Sequence, residues 1–225
     1  MIVASKFLSI FVIVISVAAG IASFYLLDAA SKEQKKKRIE TIISQLVNFV
    51  LFLWLAKILL NLSLFIQDPL AVLAYPADSS AFYLAVLFSF GLIFYQSRKG
   101  TIQAFLFVQS IIYVLVTAAF VYEFIQLIWF DNSLSVGNLV LMALLLLLFF
   151  FFKERISPSS LFIVVLAAFG IGMGALHLLQ PYMAIFGFLM APWFIGVFVL
   201  TGFVLIGFSR RKGQSEEDRM GGIQQ

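Results

Sequence analysis

Seven apolar runs, each close to the length that crosses a bilayer, follow one another along this chain with only short polar breaks between them. The hydrocarbon core of a membrane is ~30 Å thick and a helix rises ~1.5 Å per residue, so about 20 apolar residues span it. The runs lie at 7–27, 41–66, 81–97, 101–130, 134–152, 160–180 and 183–208. They do not alternate with period two, as strands of a membrane barrel would, and so predict helices. The breaks carry turn or charge signals: Lys32 to Arg38, Asp68-Pro69 through Ser80, Arg98-Lys99-Gly100, Asp131-Asn132, Lys153 to Pro158 and Gln180-Pro181.

Composition agrees. Hydrophobic residues are 63% of the 225 positions and charged residues 12%, against roughly 45–50% and about 25% in a soluble domain. A soluble chain of this size keeps too much wet surface to hide such an excess. The expected fold class is therefore all-α, a polytopic integral membrane bundle of about seven transmembrane helices. It forms one domain over 1–208, followed by a disordered cytoplasmic tail over 209–225 that lacks any apolar period. Lipid is its first partner.

The basic residues orient the bundle. Lys32, Lys35, Lys36, Lys37 and Arg38 follow the first run, Arg98 and Lys99 the third, Lys153 and Arg155 the fifth, and Arg210, Arg211, Lys212 and Arg219 the seventh. Thirteen of the 15 basic residues thus share one side of a seven-helix arrangement, Lys6 and Lys57 being the exceptions. Positively charged loops stay in the cytoplasm, which predicts an N-terminus outside and a C-terminus inside. Five positive charges directly after the first run oppose translocation of the downstream chain, so that run is expected to be a retained span rather than a cleaved signal. The phenylalanine- and leucine-rich spans and short loops suit a bacterial cytoplasmic membrane. The run Lys35-Lys36-Lys37-Arg38 is a candidate for holding anionic lipid, besides setting topology. Short basic runs between apolar blocks do not form the extended positive face that nucleic acid requires.

Ionisable residues inside a span are costly and point to function. Lys57 and Glu123 lie in the second and fourth runs, ten residues from Gln67 and seven from Phe130, hence about 15 and 10 Å from the same membrane face. Matched depth predicts an ion pair between the two helices. Asn61 stands at i+4 from Lys57 and Gln126 at i+3 from Glu123, which extends the pair to a polar cluster. A lysine or glutamate so placed also has the option of snorkelling toward the interface. His177, the only histidine, precedes Gln180 by three residues at the end of the sixth run. The two form a candidate proton or polar site on the outer face. Gly170 and Gly174 present a small-x-x-x-small face suited to close helix packing. Pro192 falls inside the seventh run and is a candidate hinge.

Several chemistries are excluded on residues. The chain has no cysteine, which rules out disulfides, thiolate metal sites and thiol relays. One histidine cannot supply bis-histidine haem ligation, and the clustered histidines and carboxylates of a hydrolytic metal site are missing. His177 has no serine at matched depth for nucleophilic catalysis, since Ser159 and Ser160 lie at the far end of its span. A retinal protein needs a lysine in its last helix, and the seventh run has none. Spans one to three and five to seven share an orientation, which resembles the SWEET sugar transporters in topology alone. The expectation is a membrane protein without enzyme activity, cofactor or metal. It would act as an accessory, assembly or signalling component with a protein partner or as a homo-oligomer. The alternative is a small-solute or ion transporter built on Lys57 and Glu123.

Overall fold

The structure is a computed structural model, and it describes residues 2–28, 30–74 and 77–203. Its elements in chain order are α1 (Ile2–Leu27), α2 (Lys32–Leu60), α3 (Leu62–Gln67), α4 (Pro69–Ala74), α5 (Ser79–Arg98), α6 (Ala104–Phe130), α7 (Ser135–Phe152), α8 (Pro158–Leu179), β1 (Ala184–Ile185), β2 (Phe188–Leu189) and α9 (Pro192–Phe203). Six of the described helices are long and apolar enough to cross a membrane, namely α1, α2, α5, α6, α7 and α8. The protein is a polytopic membrane helical bundle.

Helix starts follow capping chemistry. Ser31 and Gln34 close a reciprocal capping box at the head of α2, Asp78 accepts from the Ala81 amide to start α5, and Ser157 followed by Pro158 starts α8. Both faces of the spans are apolar. On α7, Leu141, Met142 and Leu145 are buried while Val140, Leu144, Leu147 and Phe151 form an exposed stripe. In water that stripe would be an adhesive patch, and lipid is the solvent it matches.

Two of the expected runs take other forms. The second, placed at 41–66, begins earlier at Lys32, and α2 stops at Leu60 with Asn61 as its cap. The seventh, placed at 183–208, has a two-stranded antiparallel hairpin over Ala184–Leu189 in place of its first helical turns. Gly187 at φ 82° and Phe186 at φ 51° make the tight turn, both central residues having the positive φ that a two-residue hairpin favours. Pro192 is the first residue of α9, so it opens a helix instead of bending one. Its fixed φ and missing N–H suit that position. Residues 204–208, the tail over 209–225 and its basic residues Arg210, Arg211, Lys212 and Arg219 lie outside the described residues.

The chain divides into two compact units. The first holds the chain to Leu139 with the hairpin segment Ala184–Met190. In it α1 runs along α6, and α2 along α5. Val12, Ser16, Gly20 and Phe24 line the buried edge of α1 at every fourth residue. They pack along α6, where Val114 and Ala118 face Gly20 and Tyr113 meets Phe24. The contact is closest at Gly20, where an added Cβ would stand 2.5 Å from the Val114 carbonyl oxygen. Only a glycine admits this approach. Gln45 donates to Gln96 at 2.9 Å and ties α2 to α5. The second unit holds Val140–Met183 and the chain from Ala191. There Gly170 faces Val199 of α9, and Phe169 meets Phe198 edge-on.

Candidate functional site

The buried polar groups of the first unit gather where α6 turns into α7. Asp131, in the left-handed conformation, ends α6, and its N–H and that of Asn132 both donate to the Gln126 carbonyl. The Ser135 amide then donates to the Asn132 carbonyl. This short link brings the first turn of α7 beside the last two turns of α6. Ser135 and Asn138, three residues apart and so on one face of α7, both turn to Glu123. The Asn138 amide nitrogen donates to Glu123 Oε1 at 3.3 Å, and the Ser135 hydroxyl stands beside the same carboxyl. Glu123, Ser135 and Asn138 are all buried.

The hairpin completes the cluster. The nitrogen of the Asn138 side chain also donates to the Ala184 carbonyl at 3.1 Å. The Phe186 ring meets Tyr122 edge-on at 5.4 Å, and a Cβ on Gly187 would lie 3.1 Å from the Tyr122 hydroxyl. On the other side Phe188 stacks on Phe82 at 4.7 Å, and the Tyr83 hydroxyl donates to the Leu189 carbonyl at 3.0 Å. Hydrogen bonds to a charged group are worth roughly 1.5–3 kcal/mol each, and removing water from a lone carboxylate costs several times that. The contacts orient Glu123 but do not neutralise it. The Asn138 Oδ1 is buried with no hydrogen-bond partner among the described residues.

Lys57 belongs to a different arrangement. Its ammonium donates to the Leu73 carbonyl at 3.1 Å, in the last turn of α4, where helix carbonyls lack intrahelical donors. The Lys57 carbonyl in turn accepts from the Asn61 side chain at 3.0 Å. Lys57 and Asn61 thus do stand together, and Lys57 anchors the short helix α4. The two charges stand in separate sites, Lys57 on the Leu73 carbonyl of α4 and Glu123 on Asn138 of α7, and the expected ion pair between them is not formed. Gln126 likewise lies beside the Tyr122 hydroxyl at i−4, and no hydrogen bond joins its side chain to Glu123 among the described residues.

The remaining candidates are dispersed. His177 is exposed in the last turn of α8, and Gln180 caps that helix with its amide on the Leu176 carbonyl at 2.8 Å. Gly174 has open space where a side chain would stand. The close neighbour of Gly170 is Val199, and Gly172 is the glycine set tightly against Leu141. In the basic run, Arg38 pairs with Asp28 at 3.0 Å, and Lys35 donates to the Tyr25 carbonyl at 2.9 Å. Lys36 reaches Glu40 at 4.0 Å with both exposed, a contact worth little, and Lys37 is exposed. Two members of the run are therefore turned toward Asp28 and the end of α1.

Sequence reasoning found Glu123 but missed Ser135, Asn138, Tyr122 and the Ala184 carbonyl. The usable signal was Asn138, an amide one turn inside a span and a short link away from a buried acid. No family model matches the chain, and neither the curated proteins nor the solved structures contain a match.

Proposed function

We propose that this multi-pass membrane protein is a non-catalytic membrane component, an accessory, assembly or signalling partner. Its intramembrane polar residues serve to assemble its own helices. One observation carries the reading: the buried polar side chains bond to groups of the same chain at helix ends and crossings. Lys57 holds α4, Glu123 joins α6 to α7, and Gln45 joins α2 to α5. A solute path would need such groups in series along the span.

The N-terminus lies outside and the C-terminus in the cytoplasm of a bacterial plasma membrane, with anionic headgroups meeting the exposed Lys36 and Lys37. Support for this face comes from cations laid over rings one turn inward. Arg98 covers Phe94 at 4.9 Å and Lys99 covers Tyr95 at 4.7 Å; Lys153 covers Phe150 at 5.2 Å and Arg155 covers Phe151 at 3.9 Å. Aromatic and basic anchors of this kind belong at a membrane–water interface.

The test is reconstitution. Liposomes holding the purified protein should be inert to a broad solute and ion panel, and crosslinking in the native membrane should capture a reproducible partner or a second copy. Gradient-driven flux would instead establish the second reading, a small-solute or ion transporter. That reading is favoured by Glu123, which has no cationic side chain paired with it among the described residues. Reporters fused after Gln225 and before Met1 should read cytoplasmic and external respectively.

A further inference from the structure

Glu123 is only 5% exposed, and its hydrogen-bond partner Asn138 and its neighbour Ser135 are neutral. Neither ion pair among the described residues includes it. A carboxyl so placed is discharged either by a proton or by a bound cation. The surrounding oxygens favour the cation. One nitrogen, Asn138 Nδ2, stands 3.3 Å from Glu123 Oε1 and 3.1 Å from the Ala184 carbonyl oxygen. The other end of the same amide, Oδ1, is buried and accepts from no donor among the described residues.

Half a turn about the last side-chain bond exchanges the two ends of the amide, which are nearly equal in size; Oδ1 has no bond to lose, and the two that Nδ2 donates are given up in exchange for ligation of the ion. The amide oxygen then takes the nitrogen's place, 3.3 Å from a carboxylate oxygen and 3.1 Å from a carbonyl oxygen. An amide oxygen that close to each of the other two is repelled by both unless a cation lies between them. Ions that bind oxygen at roughly 2.4 Å hold neighbouring ligands about 3.4 Å apart on their shell, and the spacing here is close to that edge. A single carboxylate balances a single positive charge, whereas a divalent ion would leave a buried excess.

We propose that Glu123, Asn138 and the Ala184 carbonyl bind a sodium-sized monovalent cation, with the Ser135 hydroxyl as the next oxygen on the same carboxyl. The Asn138 amino group and the ion are alternative occupants of the same side of the carboxylate. The hairpin is an integral part of the site, since Phe186 on Tyr122 and Phe188 on Phe82 fix the Ala184 carbonyl. This ligand is additional to the assembly role and does not depend on it.

The test uses the full chain in detergent, with thermal unfolding measured in sodium chloride and in choline chloride at equal ionic strength. Sodium should raise the midpoint over choline, and each tenfold increase above the dissociation constant should add roughly 3–5 °C. Glu123→Gln, nearly isosteric, should abolish the sodium-specific part, while the exposed Glu33→Gln should keep it. Retention of radiosodium by the wild-type protein gives a readout independent of any variant's folding. Equal midpoints in sodium and choline, or a sodium effect that survives in Glu123→Gln, would overturn the proposal and leave Glu123 as a simple protonated acid.

Discussion

Replacing Gly20 with alanine adds one methyl group at the tightest point of the α1–α6 contact. The new Cβ would stand 2.5 Å from the Val114 carbonyl oxygen and 3.3 Å from the Ala118 backbone nitrogen and Cβ. Ordinary contact needs about 3.5 Å, so the helices must separate by roughly 1 Å. The obstacle is backbone and cannot rotate aside. A gap of ~1 Å forfeits up to half of each dispersion contact along the seam, at Val12, Ser16 and Phe24, and it strains the Ser23–Tyr113 hydroxyl bond of 2.6 Å. Overpacking of this kind costs about 1–3 kcal/mol, partly offset by the ~0.5–1 kcal/mol that alanine gains over glycine within a helix. Gly91, with nothing within 4 Å of its Cβ position, supplies the control, because Gly91→Ala has the gain without the clash. Reversible unfolding in dodecyl sulfate, followed by tryptophan fluorescence, should place Gly20→Ala about 1–3 kcal/mol below Gly91→Ala. Equal stability of the two variants would show that α1 and α6 do not meet at Gly20.

In α8, Gly172→Ala should unfold about 1–3 kcal/mol below Gly174→Ala in the same assay, the latter having the helix gain of ~0.5–1 kcal/mol without a clash, because Leu141 crowds the first position and the second is open. Lys57→Met and Glu123→Gln should combine additively within ~0.5 kcal/mol, and the charge-exchanged double variant should show no rescue, since the two side chains have separate partners. A coupling well above that value would restore the ion pair. Gly187→Ala should cost roughly 1–3 kcal/mol, its φ of 82° and the nearby Tyr122 hydroxyl both opposing a side chain. Loss of the hairpin in that variant is measurable as faster amide hydrogen exchange at Ile185 and Phe188.

How much of the site was legible can be judged at particular residues. Glu123 stood out because an acid in an apolar run is expensive wherever it points. Its partners did not, because Ser135 and Asn138 sit in the first turn of a helix, where polar residues are ordinary. The Ala184 carbonyl carries no sequence signal at all. Lys57 was visible for the same reason as Glu123, yet its acceptor was a backbone group in a segment expected to be a plain loop. Depth alone suggested that the two charges meet. Depth fixes position along the membrane normal but says nothing about which way a helix is rotated.

The amino-acid sequence alone determined that this chain is an all-α membrane protein, because apolar runs of bilayer length can satisfy their backbone groups only as helices. It also marked the breaks between most spans, since turn and charge residues such as Arg98-Lys99-Gly100, Asp131-Asn132 and Lys153 to Pro158 are local signals. Tertiary structure decided the rest. Both faces of each span are apolar, so periodicity could not say which face packs and which meets lipid. That choice lies in long-range contacts: Gly20 on Val114, the α6–α7 link that delivers Asn138 to Glu123, and the hairpin that replaces the start of the seventh span.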